Sequence, residues 1–313
     1  GGNDPTTTEW LAENLEEGGV LAVNGLLFSV VQASRLEAFC GENGFRFATD
    51  FDPFPEIYAD RQALPLDKVF VHEEQYAGES TQSKIKKVLD KAAEHGADAT
   101  LLSALDEIAW TLNVRCSDVE FNPVTISYAY LSDTVNVFFV DERKIDADVR
   151  AYLKECGVEV APYDSVEKFL EKIKDATVLL DPNKTSDTIA RSLLNCGTVY
   201  AQSPVALLKA VKNDVQIEGT RKAMERDGVA LVKLFMWIEQ NVASGSITEY
   251  DVAQKVQEFR AASPLYRGES FGPIAGYNEH GAIVHYEPEK ETSSTLHPEG
   301  MLLVDTGGQY LDG

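Results

Sequence analysis

The chain has 313 residues, of which 44% are hydrophobic and 25% charged, a composition typical of a soluble protein with two or three domains. The 28 Lys and Arg against 51 Asp and Glu give a net charge of −23, which makes nucleic acid and anionic lipid poor partners. No apolar run reaches the roughly 18 residues that a membrane helix needs, and no signal peptide is recognisable. We therefore expect a cytoplasmic protein with no membrane partner.

Residues 1–65 begin with a capping-box pattern, in which Thr6 precedes Glu9 and the helical segment EWLAENL. An apolar run and a helix around Ser34 to Cys40 follow, and residues 48–65 are proline-rich and irregular. Such a stretch has few elements with which to build a core. We expect it to be the C-terminal part of a domain whose beginning is absent.

Residues 66–212 alternate between helical and strand patterns, which predicts one α/β domain. The segment SKIKKVLDKAAEHG has apolar residues at i, i+3, i+4 and i+7 from Ile85 onward, which predicts a helix closed by Gly96. The strand DATLL precedes a helix that we expect Ser103 to cap. The segments VTISYAYLS and TVNVFFVD should form a hairpin.

Four cysteines lie at least 40 residues apart and form no metal-binding spacing, so we expect free thiols without a function: Cys40, Cys116, Cys156 and Cys196.

Residues 213–313 open with a long amphipathic helix that should end near Gly245. A second helix should start after Thr248, with Asp251 completing a capping box. The following segment is rich in glycine and aromatic residues and contains His280 and His285. We expect a pair of strands that bears these histidines, and a place where chemistry could occur.

The closing stretch MLLVDTGGQYLDG places Asp305 at the end of an apolar strand. Read alone, an acid before a Gly-Gly turn is most often a turn former, whose carboxylate accepts backbone N–H groups. The Asp-Thr-Gly string also matches an aspartic-protease signature. Only six residues follow Gly307 and no second such string exists, which argues against that fold.

His285 lies within AIVHY, which reads as a strand, and a lone histidine there is more often a satisfied core group than a catalyst. His280 and His297 have no spacing that would form a helical zinc motif with it.

The motifs around Asp305 and His285, taken together, indicate a protein family more specifically than either residue does alone. GYNEHGAIVHYEPE and LLVDTGGQYLDG resemble the catalytic start of aminopeptidase P, the Xaa-Pro aminopeptidases of the creatinase or pita-bread superfamily. The family's middle-domain signature is similar to the segment LLSALDEIAWTLNVRCSDVEFNPVTISYAYL. The helical entry of its catalytic domain is similar to SPVALLKAVKNDVQIEGTRKAMERDGVALVKLFMWIE. Two residues depart from the family pattern: Cys116 replaces a glycine, and His280 stands where asparagine is more common.

The resemblance implies an α/β fold in three parts. Residues 1–65 would be the C-terminal part of a first creatinase-like domain. Residues 66–212 would be a complete middle domain of the creatinase N-terminal type, a mixed sheet with helices on its faces. Residues 213–313 would be the N-terminal part of a pita-bread α+β catalytic domain, so that the chain would be an internal fragment.

The same resemblance implies site residues. Asp305 would be the first of five ligands to two divalent metal ions, with manganese preferred and zinc or cobalt as alternatives, and carboxylates with an imidazole suit Mn²⁺. His285 would assist catalysis at the scissile bond, and Phe271 would line the substrate pocket. Asp312 would be no ligand, and the other ligands would lie beyond Gly313.

The implied function of the parent is a dimeric metalloaminopeptidase that removes the first residue from peptides with proline second. The mechanism would be attack by a hydroxide activated by the two metals. The 313 residues alone should be inactive and hold no stoichiometric metal, because one carboxylate does not make a dinuclear site. Two alternatives stay open: a non-catalytic binding protein with the pita-bread fold, and an aspartic protease.

Overall fold

Helices and strands alternate through most of the computed structural model, which describes residues 4–313. The strands are β1 (Val20–Ala22), β2 (Arg46–Ala48), β3 (Phe70–Val71), β4 (Ala99–Leu102), β5 (Val114–Arg115), β6 (Ser127–Ser132), β7 (Asn136–Val140), β8 (Val158–Pro162), β9 (Lys174–Leu180), β10 (Asn195–Tyr200), β11 (Tyr266–Glu269), β12 (Ile274–Tyr277), β13 (Leu302–Asp305) and β14 (Gly308–Tyr310). The helices are α1 (Thr7–Asn14), α2 (Val30–Glu42), α3 (Phe54–Ile57), α4 (Glu74–Ala77), α5 (Thr81–Ala93), α6 (Leu105–Thr111), α7 (Ala147–Glu155), α8 (Val166–Leu170), α9 (Asp187–Arg191), α10 (Pro204–Ala210), α11 (Asp214–Asn241) and α12 (Glu249–Ala261). A 3-10 turn at Asn278–Ala282 lies close to the candidate site.

Side-chain caps begin several helices where the sequence predicts them. The capping box of Thr6 with Glu9 begins α1, and that of Thr248 with Asp251 begins α12, so both predictions are confirmed. The predicted cap at Ser103 is wrong, because the N-cap of α6 is Ala104 and it makes no side-chain bond.

Contacts divide the chain into two compact units. Unit 1 contains residues 4–71, Thr81–Asp118 and Val124–Ala210, and unit 2 contains His72–Ser80, Val119–Pro123 and Val211–Gly313. The domain boundaries after residues 65 and 212 stay predictions.

Unit 1 is built on a six-stranded mixed sheet with the strand order β10-β9-β4-β6-β7-β8. Neighbouring strands are parallel in the pairs β10/β9, β9/β4 and β7/β8, and antiparallel in β4/β6 and β6/β7. The β6/β7 pair is the predicted hairpin, in which Ser127 pairs with Val140. The central strands are buried on both faces, as their nearly continuous apolar sequences require.

Alternate residues of the sheet enter two different apolar clusters. In β7, Phe138 belongs to one cluster and Phe139 to the other, because successive side chains of a strand point to opposite faces. The first cluster includes residues of α5, α6, α7 and α10, and the second includes residues of α2, α8 and α9. Helices therefore cover both faces, which confirms the predicted α/β fold with a mixed sheet.

Unit 2 contains two long helices and two two-stranded antiparallel sheets, β11/β14 and β12/β13. Its apolar core joins Leu234 of α11, Val252 and Val256 of α12, and Ala275 and Tyr277 of β12. Other apolar residues of α11 remain exposed; Met224 is 68% exposed and Phe235 is 50% exposed.

The four cysteines are free thiols, as expected. Among residues 4–313, no helix combines the length and the apolar character that a membrane crossing requires.

Candidate functional site

Asp305 ends β13 and lies opposite Ile274 in the β12/β13 sheet. Its side chain is exposed, and no hydrogen bond or ion pair links its carboxylate to another of residues 4–313. The backbone N–H bonds that a turn-forming aspartate requires are thus absent in this part of the chain. Its carboxylate is available to a ligand from solution.

The turn after Asp305 is fixed by Arg260, a fully buried residue of α12. Its guanidinium donates to both carboxylate oxygens of Asp227, at 2.7 and 3.0 Å, and to Glu269. It also donates to the hydroxyl of Thr306, at 2.6 Å. The planar fork of arginine suits such a set of acceptors, and one of its partners is the residue next to Asp305.

Two tyrosines complete the surroundings of these carboxylates. The hydroxyl of Tyr266 donates to Glu269 at 2.5 Å, and that of Tyr310 donates to Asp227 at 2.9 Å. Burial and the adjacent carboxylates raise the pKa of both tyrosines, so they stay neutral donors. We call these six residues the Arg260 network: Asp227, Arg260, Tyr266, Glu269, Thr306 and Tyr310.

Asp312 has a partner of its own. Its carboxylate accepts two hydrogen bonds from Arg226 of α11, at 3.0 and 2.8 Å, and both side chains are largely buried. The backbone of Asp312 also packs so closely on Gly219 that a Cβ there would collide with its carbonyl oxygen. Asp312 thus has a structural partner, and its predicted lack of a metal-binding role stays a prediction.

Phe271 lies beside the turn that follows Asp305. The N–H of Ser270 donates to the carbonyl of Gly307 at 2.8 Å, and a Cβ on Gly307 would come within 3.3 Å of the Phe271 ring. The ring is 36% exposed. The structure therefore brings Phe271 and the Asp305 turn together.

His285 is not on a strand. It lies in a turn after the 3-10 segment Asn278–Ala282, with an exposed side chain and a φ of 57°. The predicted pair of histidine-bearing strands is wrong, and the strands that form here are β12 and β13. In the described residues, no hydrogen bond joins His285 to Asp305. The segment between β12 and β13 instead carries His285 as part of an irregular connection.

A buried carboxylate organises this connection. Glu249, the first residue of α12, accepts hydrogen bonds from the N–H groups of Tyr277 at 2.6 Å and Ser294 at 2.7 Å. Its carboxylate also contacts Nδ1 of His280 at 2.9 Å and accepts from the hydroxyl of Tyr286 at 2.8 Å. Burial alone would raise the pKa of Glu249, but these hydrogen bonds lower it overall.

The sequence reasoning missed Glu249 and the Arg260 network. One signal was available, because Val252, Val256 and Arg260 are spaced by four residues and so share one face of the helix. A charged residue in line with buried valines predicts a buried ion pair. The identity of its partners was not readable, since Asp227 and Thr306 are far away in the sequence.

Two family models match the chain. The model of the creatinase/prolidase N-terminal domain matches residues 60–216, and that of metallopeptidase family M24 matches residues 218–313. The chain belongs to the creatinase/prolidase N-terminal domain family, joined to an M24 domain. This result confirms the predicted superfamily.

Curated relatives match nearly the whole chain. The chain is 37% identical to a probable Xaa-Pro aminopeptidase P of Aspergillus niger, over 99% of its length and 52% of the relative's. It is 31% identical to aminopeptidase P2 of Arabidopsis thaliana, over 99% of its length and 48% of the relative's. The chain thus spans about half the length of these relatives.

A solved structure agrees with the fold. The crystal structure of X-prolyl aminopeptidase from Caenorhabditis elegans, described as a cytosolic enzyme with a di-nuclear active site, superposes with a TM-score of 0.89 at 27% identity. The match covers 99% of this chain and 52% of that one.

The donors present in this M24 segment do not make a two-metal site. Among residues 4–313, no group of three or more His, Cys, Asp or Glu side chains is arranged to hold a metal ion. Asp305 is a single exposed carboxylate, whereas hard divalent cations take several oxygen ligands. The described residues therefore do not fit a dinuclear centre by themselves.

Proposed function

We propose that the whole protein is a metal-dependent Xaa-Pro aminopeptidase, which releases the first residue from peptides with proline in second position. The names of the relatives and the M24 match of residues 218–313 support this proposal. Proline makes the bond unusual, because its ring fixes φ and its nitrogen carries no hydrogen. An enzyme for this bond needs a dedicated pocket.

The difference between two aspartates at the end of the chain carries the proposal. Asp312 is bound by Arg226 through two hydrogen bonds, whereas Asp305 is exposed on a fixed turn with no partner among the described residues. A carboxylate that is anchored through its neighbour Thr306 yet unsatisfied itself is suited to bind a ligand.

In this proposal Asp305 is a ligand to one of two divalent metal ions, preferably manganese, with zinc or cobalt as alternatives. Metals of this kind supply a nucleophilic water at neutral pH and polarise the peptide carbonyl. His285 would bind the substrate near the scissile bond, and the Phe271 ring beside Gly307 would line the pocket. For the 313 residues alone we expect neither stoichiometric metal nor turnover, because the donors present are too few.

Two further features of the whole protein are proposals. A cytoplasmic location is supported by the description of the Caenorhabditis elegans relative as cytosolic. We also propose a homodimer, and the predicted three-part division at residues 65 and 212.

The test is hydrolysis by the whole protein of matched tripeptides that differ only in the second residue, proline or alanine. After loading with manganese, we expect release of the first residue from the proline peptide, a preference of at least about a hundredfold, and loss of turnover with a chelator. Binding of the proline peptide without cleavage would favour the alternative of a non-catalytic pita-bread protein. Cleavage that continues without metal would contradict the proposal.

A further inference from the structure

The segment between β12 and β13 has little regular structure of its own. It contains the 3-10 turn Asn278–Ala282 and a turn at His285, and much of it is exposed. A loop of this length needs anchors if a side chain on it is to keep one position. Its hydrogen bonds show where the anchors are.

Four donors of this segment and its borders converge on one carboxylate. Glu249 has a fully buried side chain, and it accepts from the N–H of Tyr277 where the segment begins and from the N–H of Ser294 towards its end. Between these two, His280 and Tyr286 contact the same carboxylate through their side chains. The two aromatic rings also lie 4.6 Å apart.

The position of Glu249 strengthens these bonds. It is the first residue of α12, where the helix dipole favours a negative charge, and hydrogen bonds to a buried anion are stronger than neutral ones. The backbone continues the attachment, because the N–H of Glu249 donates to the carbonyl of Ser294 at 3.2 Å. One rigid helix end therefore fixes the loop at several points.

His285 lies within this anchored stretch. It directly precedes Tyr286, whose hydroxyl is bound to Glu249, and its φ of 57° lies in the left-handed region, which is uncommon for a residue with a side chain. Two contacts of Tyr286 hold the backbone next to the histidine. Its N–H donates to the carbonyl of Ile283 at 3.3 Å and closes the turn that contains His285, and its hydroxyl ties that turn to Glu249.

We propose that Glu249 is a positioning residue, which orders the 278–294 loop and thereby sets the position of His285. The proposal concerning the loop stands on the contacts above, and its catalytic consequence rests on the proposed function. Glu249 would not touch substrate. It acts through Tyr286, His280 and the backbone of Ser294.

Hydrogen exchange of the 313-residue chain tests the ordering. In Glu249→Gln the amide can no longer accept at both former oxygens, so we expect peptides from 278–294 to exchange about tenfold faster. The centre of α12 should stay within about twofold of the original rate. Glu258→Gln is the matched control, since Glu258 is on the same helix but its side chain is 65% exposed. Unchanged exchange in 278–294, or an equal increase throughout unit 2, would overturn the proposal.

A milder variant keeps the test decisive if Glu249→Gln does not fold. Tyr286→Phe removes one hydroxyl and leaves the charge of Glu249 in place. We expect several-fold faster exchange near residues 283–287 and no change in α12. The same exchange rates as in the unchanged chain would argue against the anchor.

A double-mutant cycle in the whole protein tests the catalytic consequence. If Glu249 acts through His285, Glu249→Gln should lower kcat more than it raises KM, and it should have almost no further effect in a His285→Asn background. If the losses of kcat in the two single variants multiply in the double variant, the positioning role is contradicted. Full turnover by His285→Asn alone would instead refute the proposed role of His285 and leave the exchange result standing.

Discussion

The two units differ in what specifies their structure. Unit 1 has a six-stranded sheet between two apolar clusters, and strands such as β7 are buried on both faces. Unit 2 has only two-stranded sheets, and its strands and helices are joined by buried charged groups, above all Arg260 and Glu249. Unit 1 also contains buried charged groups, among them Lys144 with Asp118, Glu107 with Lys184, and Lys84, but these lie beside much larger apolar clusters than the one in unit 2. Polar contacts thus have a greater share in fixing unit 2.

This difference bears on the candidate site residues. Apolar packing is tolerant of substitution, whereas a hydrogen-bonded charge network prescribes direction and distance. The candidate residues Asp305, Phe271 and His285 are all in unit 2, next to such networks. The polar contacts fix turns that have little regular structure to support them.

The largest effect should come from Arg260→Met. This change leaves Asp227 and Glu269 buried without their cation, which we expect to cost unit 2 roughly 3–5 kcal/mol. Denaturant unfolding followed by hydrogen exchange of β11 and β14 would measure it. Arg267→Met is the control, because Arg267 is exposed and bonds only to nearby carbonyls. A cost below about 1 kcal/mol would remove the contrast between the units.

Unit 1 should respond most to a cavity. Leu153 is fully buried in the first apolar cluster, and Leu153→Ala should cost roughly 2–5 kcal/mol, whereas Leu207→Ala, at a residue 71% exposed, should cost about 0.5 kcal/mol or less. Exchange of β6 and β7 would report the change. Equal costs for the two leucines would mean that the cluster is not the source of stability.

The sequence predicts unit 1 better than unit 2, because apolar patterns are local whereas polar contacts join distant residues. The alternation of apolar residues in β6 and β7 and the stripe from Ile85 are local patterns, and the structure confirms the hairpin and the helix. In unit 2 the helix cap at Thr248 is local and confirmed. The strand predicted around His285 is wrong: residues 284–285 form a turn, and apolar residues such as Val284, 81% exposed, bury little of their surface.

The candidate site was predictable only in part. Asp305 at the end of a strand was correct, since an apolar run followed by Gly-Gly is a local signal. The contacts of Arg260 with Thr306 and of Glu249 with Ser294 join residues more than forty positions apart, and no sequence period encodes them. The metal, catalytic and pocket roles of the site residues came from resemblance and stay proposals.

Acid should affect unit 2 through Glu249. Its pKa is lowered from 4.5 in the folded chain, so its contribution to stability is present above pH 4.5 and is lost as pH falls through the lowered pKa. Unfolding of the unchanged chain and of Glu249→Gln between pH 7 and pH 3 would show it as a shallower pH dependence in the variant. Identical slopes would show that Glu249 does not contribute.

The smallest effect should come from a helix cap. Thr248→Ala removes the side-chain oxygen that accepts from the backbone N–H of Asp251, which should lower the free energy of unfolding by about 1 kcal/mol. Ser29→Ala, at the start of α2 in unit 1, should cost a similar amount. Because caps are local, we expect no difference between the units. A cost several times larger in unit 2 would mean that Thr248 also supports the adjoining Glu249 contacts.

The most direct test of the proposed function compares two aspartates in the whole protein. We expect Asp305→Asn to reduce turnover of an Xaa-Pro peptide by at least about a hundredfold while leaving the melting temperature nearly unchanged, because its carboxylate has no partner in the described residues. Asp312→Asn should instead lower the melting temperature through the loss of its bond with Arg226, and retain most of the turnover at a temperature where it is folded. Full turnover by Asp305→Asn would contradict the account.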